Sequence, residues 1–244
     1  MKKKLSNLAI PLLFIVYVSS CELENPSSIT LDEIIKIESA ATEIFANGVS
    51  TVTITATLEG ETPNGETITL KTDNGTFVGQ EPNSSNNNGT ELSIKAAPRL
   101  IQADLKSSTE VGEVTISATV GEYIAFTKVN FTRENPNRIF LESSATTLRA
   151  NGNDAITLTA NLIAPQDGNG QIGTVSQGTR VLFLAKLDST GSDLLALRRE
   201  SLSNSSGKAT AQLVGRTTGL VRIIATVENL PQVRDSIYVD FVDE

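Results

Sequence analysis

The sequence predicts an all-β protein in which one antiparallel β-sandwich occurs twice in tandem. Three observations point to this fold class. One is an internal repeat of about 100 residues, and the second is a two-residue period of apolar side chains within each copy. The third is a series of Asn-Gly and Ser-Gly turn signals between the apolar segments. Beyond the first 20 residues we find no convincing amphipathic helical pattern.

The repeat is strongest near the start of each copy. Residues 37–58 align without a gap to residues 141–162, at an offset of 104 and with 11 identities in 22 positions. Two later matches have offsets of 107 and 110, because the second copy has longer loops: residues 112–120 with 219–227, and residues 129–131 with 239–241. The chain is therefore a duplication of one domain.

Within each copy, apolar and polar residues alternate, which predicts strands with one buried and one solvated face. Val52, Ile54, Ala56 and Leu58 are separated by threonines, and β-branched residues favour a strand over a helix. About seven strands form each predicted sandwich. Strands B to G are expected at 51–58, 67–72, 75–79, 99–105, 113–120 and 124–131 in the first copy, and at 155–162, 179–187, 194–199, 208–214, 220–227 and 235–242 in the second.

Residues 1–20 have the order of a secretory signal: three lysines, an apolar segment at 8–18, and small residues at the end. The apolar segment has 11 residues, whereas a helix that crosses a bilayer needs about 20. It is therefore too short to be a mature membrane span.

Val18, Ser19 and Ser20 come directly before Cys21 and resemble the bacterial lipobox. The resemblance implies that Cys21 becomes the lipidated N-terminus and anchors the protein to a membrane. Residues 21–34 are polar and acidic, so we expect a flexible tether there. The alternative is an ordinary signal peptide cut nearby, which would leave Cys21 as a free thiol.

The amino-acid composition excludes several classes of function. The chain has no histidine and one cysteine, which excludes a Ser-His-Asp triad, a His-ligated metal and a multi-thiolate zinc site. The net charge of −8, which becomes −11 without residues 1–20, argues against nucleic-acid binding. We therefore expect no cofactor, no metal and no enzymatic activity.

Two short patterns have a chemical interpretation beside a structural one. Residues 205–208 match the S-x-x-K motif of penicillin-binding enzymes, but we expect them in a turn that enters strand E. Residues 167–170, DGNG, hint at a calcium loop, yet one carboxylate is too few for a site that needs six or more oxygens. Plain turns are the interpretation that we favour for both.

The order of motifs in the second copy resembles the bacterial immunoglobulin-like (Ig-like) domains of the invasin/intimin type. These motifs are ANG, TRVLF, SNSSGKATAQL, GLVRIIATV and a terminal VDF. Residues 204–209 fit the family pattern Thr-Asp-x-x-Gly-x-Ala from its second position, with Asn204 in place of the acid. The resemblance implies two tandem Ig-like sandwiches that form a rigid spacer or adhesive rod at a bacterial surface. The first copy departs from the pattern at 79–98.

The predicted Ig-like domains are residues 35–133 and 136–244, with a very short linker that contains Asn135 and Pro136. In this topology the B–C loop of the second copy, 163–178, lies at the pole beside the first copy. We predict that this loop packs there and stiffens the pair.

The opposite pole of the second copy is expected to form an exposed tip, made of loops 149–154, 188–193 and 215–219. These loops supply the candidate partner contacts: Asn151, Asp154, Asp188, Thr190, Asp193, Arg216 and Thr217. The structural alternative is that the three loops are merely solvated turns.

The sequence thus predicts a non-enzymatic, lipid-anchored protein of the bacterial outer membrane. Its tandem domains would act as a spacer or interaction module for a protein or glycan partner, with adhesion as one form of that role. The alternative is an accessory glycan-binding subunit of an envelope complex. Exposed aromatic residues clustered on one sheet face would favour that alternative. The sequence leaves the oligomeric state and surface exposure open.

Overall fold

The computed structural model describes residues 34–58, 67–78, 84–85, 89–95, 100–166 and 170–243, and the elements in these ranges are all β-strands. The predicted signal peptide, 1–20, and all but the last residue of the predicted tether, 21–34, lie outside the described residues. In the ranges that are described, nothing helical is long and apolar enough to span a bilayer.

The first sandwich consists of strands β1 to β10. A four-stranded sheet has the order β1-β3-β8-β5, and a six-stranded sheet has the order β2-β10-β9-β4-β7-β6. The strands are β1 (Ile35–Ser39), β2 (Glu43–Phe45), β3 (Thr51–Leu58), β4 (Thr67–Thr72), β5 (Thr76–Val78), β6 (Ser84–Ser85), β7 (Glu91–Lys95), β8 (Leu100–Lys106), β9 (Gly112–Val120) and β10 (Tyr123–Thr132).

The second sandwich consists of strands β11 to β18. Its sheets have the orders β11-β13-β16 and β12-β18-β17-β14-β15. The strands are β11 (Arg138–Ser143), β12 (Thr147–Arg149), β13 (Ala155–Ile163), β14 (Arg180–Leu187), β15 (Asp193–Leu202), β16 (Lys208–Val214), β17 (Gly219–Val227) and β18 (Leu230–Val242). In both sandwiches the first two strands, β1 and β2 or β11 and β12, lie in different sheets, and the second of them pairs in parallel with the last strand. All other pairings are antiparallel.

The two-residue period of the sequence is confirmed as burial. Along β3, Val52, Ile54, Ala56 and Leu58 are all buried, while the intervening threonines are partly exposed. Each sandwich has its own apolar core, one within residues 35–131 and the other within residues 139–241. Phe131 and Phe183 are the largest fully buried side chains of the respective cores.

The segment predicted as strand D of the second copy, 194–199, lies within strand β15. The strand found there, β15, pairs with β14 rather than with β16, so it extends the larger sheet. The turn before it is tight, because the Leu187 N–H donates to Ser192 O at 3.0 Å. A hairpin this short returns the chain beside the strand that it left and does not cross the ~10 Å to the facing sheet.

In the first copy, strand D was predicted at 75–79 and strand E at 99–105. The structure confirms both as strands: D is β5, which pairs with β8 in the smaller sheet, and E is β8, shifted by one residue. The segment 79–98 adds a feature that the sequence did not predict. It contains β7, which pairs with β4 in the larger sheet, and β6, which pairs with β7.

Strand β8 offers a matched test of this architecture, because it presents one leucine to the core and another to solvent. Leu105 is fully buried, whereas Leu100 is 48% exposed. We expect Leu105→Ala to lower the free energy of unfolding by about 2–5 kcal/mol, since it removes buried methyl groups and leaves a cavity. Leu100→Ala should change it by no more than about 0.5 kcal/mol. Urea unfolding measures both, and equal losses would contradict the observed register.

Candidate functional site

The B–C loop of the second sandwich is hydrogen-bonded to the end of the first. The Thr174 N–H donates to Asn47 O at 2.8 Å, and the Gln177 N–H donates to Thr109 O at 2.8 Å. The prediction that loop 163–178 packs beside the first copy is therefore confirmed. Both sandwiches belong to one compact unit, Leu31–Glu244.

Ser176 is at the centre of this junction and is fully buried. Its hydroxyl accepts a hydrogen bond from the Glu134 N–H at 2.7 Å and donates one to Ala46 O at 2.9 Å. The Ser176 N–H in turn donates to Glu134 O at 3.2 Å. One side chain thus joins the first sandwich, the linker and the B–C loop.

Asn47 organises the first sandwich's side of the junction. Its Oδ1 accepts hydrogen bonds from the Val49 and Ser50 N–H groups at 3.0 and 2.8 Å, which closes an Asx turn. Its Nδ2 donates to Glu134 Oε2 at 3.3 Å. Among the buried side chains of the described residues, no polar atom lacks a hydrogen-bond partner. The buried polar side chains of the junction are therefore all hydrogen-bonded.

Glu134 is the linker carboxylate, and it is 8% exposed. Burial raises the pKa of this carboxyl above its usual range, because a low-dielectric surrounding disfavours the charged form, and the hydrogen bond from Asn47 offsets part of the effect. Nothing in the sequence around Glu134 signals that it is buried. The sequence analysis missed both Glu134 and Ser176, since a polar residue in a predicted loop is ordinarily solvated.

Close packing also restricts position 173. A Cβ on Gly173 would lie 2.8 Å from Val49 Cγ2 and 3.0 Å from Asn47 Cβ. Real Cβ atoms essentially never approach another heavy atom as closely as the first of these distances. The B–C loop therefore reaches the first sandwich at a point where a side chain would displace it.

The three predicted tip loops lie together at the other end of the second sandwich. The Gly152 N–H of loop 149–154 donates to Gly215 O at 2.8 Å. The Asp188 N–H of loop 188–193 donates to Leu220 O at 2.9 Å, directly after loop 215–219. The structure thus brings the three loops to one surface, which we call the tip. That the tip binds a partner stays a prediction.

The predicted tip residues differ in what they can offer a partner. Asn151 holds an Asx turn, because its Oδ1 accepts from the Asn153 and Asp154 N–H groups at 2.9 and 3.0 Å. This turn is the counterpart of the Asn47 turn at the repeat offset of 104, so Asn151 belongs to the fold. Thr190 Oγ1 accepts from the Ser192 N–H at 3.2 Å within its own turn.

The structure also gives the position of Asp193 and the exposure of the other predicted tip residues. Asp193 begins strand β15. The exposed members of the predicted set are Asp154, Asp188, Thr190, Arg216 and Thr217. The predicted lipid site, Cys21 with Val18, Ser19 and Ser20, lies outside the described residues.

The other motifs of the sequence have structural roles or lie outside the described part. Residues 205–208 form a turn in which Asn204 Oδ1 accepts from the Ser206 and Lys208 N–H groups at 2.9 and 3.0 Å. The S-x-x-K match is therefore a turn into β16, as predicted. Residues 167–169 of the DGNG pattern are not described. No cluster of potential metal ligands occurs in the ranges that the structure covers.

A cleft of about 580 Å³ opens beside the junction. Its lining includes β2, Val49, Ser50 and Gln171, and Glu43 is the one carboxylate among the described residues that line it.

The exposed aromatic residues are spread over several surfaces. In the second sandwich Phe140 is on β11 and Tyr238 is on β18, which belong to different sheets. The Arg138 guanidinium lies over the Phe140 ring, 4.9 Å from its centroid. Phe45, Tyr123 and Phe126 are in one sheet of the first sandwich, on β2 and β10. Glycan binding stays a prediction.

No protein-family model matches the sequence, and no curated protein matches it. Solved structures are similar in fold. The adhesin InvE of Yersinia pseudotuberculosis matches with a TM-score of 0.51 at 16% identity, over 87% of this chain and 59% of InvE. Invasin, a bacterial integrin-binding protein, matches with a TM-score of 0.56 at 19% identity, over 86% of this chain and 39% of invasin.

The D0-D1 domain of intimin matches at 20% identity over 84% of this chain and 97% of that domain, but its TM-score of 0.34 is too low to support an argument. The chain spans 59% of the matched InvE chain and 39% of the matched invasin chain. The fold of this chain is that of the invasin/intimin-type bacterial Ig-like domains, as the order of its motifs predicts.

Proposed function

We propose that this chain is a non-enzymatic, lipid-anchored protein of the bacterial outer membrane whose tandem Ig-like sandwiches act as a spacer and interaction module. The observation that carries the proposal is the buried junction, which joins two sandwiches of a fold found in the adhesin InvE and in invasin. Fold alone does not establish adhesion. Adhesion is therefore one form of the proposed role, to be tested at the tip.

The spacer role rests on resistance to bending between the sandwiches. Relative motion is the usual expectation for two domains unless their interface is large and hydrophobic, so rigidity at this junction rests on its buried hydrogen bonds. Here Ser176 bonds to both Glu134 and Ala46, and loop backbone donors reach Asn47 and Thr109. Bending would break several buried hydrogen bonds at once, and each buried group left unpaired costs about 1–3 kcal/mol.

Lipid anchoring rests on the sequence of the leader. Several acyl chains on Cys21 would give durable attachment, since each buried CH₂ contributes about 0.8 kcal/mol. The acidic segment 21–34 would hold the sandwiches away from an anionic lipid surface. The tip, at the far end of the second sandwich from the junction, would then be the first surface that a partner meets.

Glu134 makes the junction sensitive to pH in a defined direction. A raised pKa means that the folded state holds the proton more tightly, so this contribution to stability is present at low pH and is lost as pH rises through the folded pKa. We expect Glu134→Gln to be more stable than the parent chain at pH 7, with a difference that shrinks towards pH 4.5. Urea unfolding at the two pH values measures it.

Glu113→Gln provides the matched control, because Glu113 is exposed and its ion pair with Lys128 lies in solvent. That substitution should change stability little at either pH. A Glu134→Gln difference that is equal at pH 7 and pH 4.5, or larger at pH 4.5, would contradict the assignment.

Anchoring is tested by Cys21→Ser in the full chain. We expect the variant to lose labelled palmitate and to leave the membrane fraction, because the lipid would have no attachment point. Ser20→Ala keeps a small residue before Cys21 and should remain anchored. Recovery of the Cys21→Ser variant in the membrane fraction at the parent level would refute the lipoprotein assignment. Proteinase treatment of intact cells then reports surface exposure.

Partner contact at the tip is tested by replacing Asp154, Asp188, Thr190, Arg216 and Thr217 with Gly or Ser while keeping Asn151. We expect binding of purified protein to its target cells to be lost, because the exposed contacts are gone. The free energy of unfolding should change by no more than about 0.5 kcal/mol per site, since these side chains are exposed. Ser205, Ser206 and Gln232, changed to Gly, provide a control away from the tip. Undiminished binding by the tip variant would discard the tip as the contact surface.

A further inference from the structure

The tip is built from the same parts as the pole of the first sandwich that the junction covers. The tripeptide Ala-Asn-Gly occurs in both, at residues 46–48 and 150–152. In each sandwich the glycine N–H donates to the loop between strands E and F, to Ser108 O at 3.3 Å in the first and to Gly215 O at 2.8 Å in the second. The two poles therefore share one backbone framework, as the duplication requires.

At the junction, three backbone oxygens of this framework bind the B–C loop of the second sandwich. Each accepts one hydrogen bond at 2.8 or 2.9 Å: Ala46 O from Ser176 Oγ, Asn47 O from the Thr174 N–H, and Thr109 O from the Gln177 N–H. We call this set of three oxygens the socket. All three donors belong to the second sandwich, so the fold of the first sandwich does not depend on these bonds. With the loop bound, Ala46 and Asn47 are buried, and the loop supplies the donors that buried backbone oxygens need.

The tip contains the counterparts of the same three oxygens. The repeat offset of 104 gives Ala150 and Asn151 as two of them. The third is Arg216, because it follows the residue that accepts from the glycine N–H, as Thr109 does in the first sandwich. In the ranges that the structure describes, none of these three oxygens accepts a hydrogen bond, and Ala150 and Asn151 are partly exposed. The tip is therefore a second copy of the socket, with acceptors that the described part of the chain does not use.

A residue of the junction linker is repeated as well. The Glu134 N–H donates to Ser176 Oγ, and Glu134 O accepts from the Ser176 N–H. Glu134 is the third residue after the Val-Asn-Phe of β10. In the sequence, Glu244 is the third residue after the Val-Asp-Phe of β18, at the offset of 110 found for this part of the repeat. The second copy thus has the glutamate of a junction as well as the socket.

The loop that binds the first socket indicates the class of partner for the second. The socket binds two backbone N–H groups and a hydroxyl, which a sandwich holds at the spacing of Thr174, Ser176 and Gln177. A second copy of this chain has that loop, but there the loop is bound in the copy's own junction. The B–C segment of its first sandwich, 59–66, has 8 residues rather than 16 and contains three glutamates. Copies anchored through Cys21 in one membrane would also point the same way, which keeps the N-terminal pole of one from the tip of another.

We propose that the tip docks an Ig-like sandwich of a different protein, whose B–C loop binds the backbone oxygens of Ala150, Asn151 and Arg216. The inference rests on the proposed function, because it names the partner of the tip. Specificity comes from side chains around the second socket that differ from those of the first. Asn153 takes the place of Val49, which lies against the B–C loop at the junction. The partner's loop therefore meets an amide there instead of a methyl group.

A third sandwich appended to the full chain tests whether the tip accepts a loop of this kind. Residues 135–244 are repeated directly after Glu244, so that the natural spacing between sandwiches is kept. Pulsed electron paramagnetic resonance then compares two pairs of spin labels in a Cys21→Ser background. One pair is at Lys128 and Tyr238, which are exposed counterparts in the two natural sandwiches. The other pair is at Tyr238 and the same position of the appended copy.

We expect the two pairs to give distance distributions of equal width, because the same loop and linker join both pairs of sandwiches. Ser176→Ala in the appended copy should broaden the second distribution by about twofold or more, since it removes the hydroxyl that binds Ala150 O. Ser205→Ala in the appended copy is the matched control, at an exposed serine outside the loop, and should leave the width unchanged. A broad second distribution without either substitution overturns the proposal, and so does a narrow one that Ser176→Ala does not broaden.

Photo-cross-linking on target cells identifies the natural occupant. A photo-reactive amino acid at Asn153 of the full chain should give an adduct with a different protein, and the cross-linked peptide should lie in the B–C loop of an Ig-like sandwich. The same group at Gln232, which is exposed and away from the tip, should not give this adduct. An adduct of Asn153 with a second copy, with a glycan or with a protein of another fold overturns the inference, as does the absence of an adduct.

A failure of this inference is distinguishable from a failure of the proposed function. If the Gly/Ser tip variant loses binding to target cells while Asn153 gives an adduct of another kind, the tip is the contact surface and only the class of partner is wrong. If that variant binds undiminished, the tip is not the contact surface, and both proposals for it are overturned.

Discussion

The two-residue period of side chains along each strand is the constraint on which the rest of the structure depends. It separates every strand into an inward set that must be apolar and an outward set that need not be. The chain has one cysteine and so no internal disulfide. Each core therefore relies on interdigitated aliphatic residues, and this explains why the inward residues of β9 and β17 have stayed identical while their outward neighbours have changed.

The same duplication gives one turn two roles. Asn47 and Asn151 close equivalent Asx turns. In the first copy the backbone oxygen of Asn47 also accepts from Thr174, and its amide donates to Glu134, so the turn becomes part of the junction. In the second copy Asn151 donates within its own turn, to Asp154 Oδ2 at 3.2 Å. A local motif that the fold requires thus becomes an interface element only where the next sandwich covers it.

Much of this architecture could be predicted from the sequence because periodicity and repetition are local signals. Strands such as β3, β9 and β17 were predicted within a residue or two, and the contact of the B–C loop with the first copy followed from strand direction. The sheet of β15 could not be predicted, since alternation shows which face is buried but not which strand lies beside it. Burial of Glu134 was missed for a related reason: the residues that hydrogen-bond to it, Asn47 and Ser176, are distant in sequence.

The tip lies at one end of the larger sheet of the second sandwich. The Asp188 N–H of a tip loop donates to Leu220 O on β17. The second sandwich therefore holds its proposed contact loops on a hydrogen-bonded sheet, whereas the first uses its equivalent pole for the junction. The difference between the copies follows from position, because the B–C loop of the second sandwich covers the pole of the first.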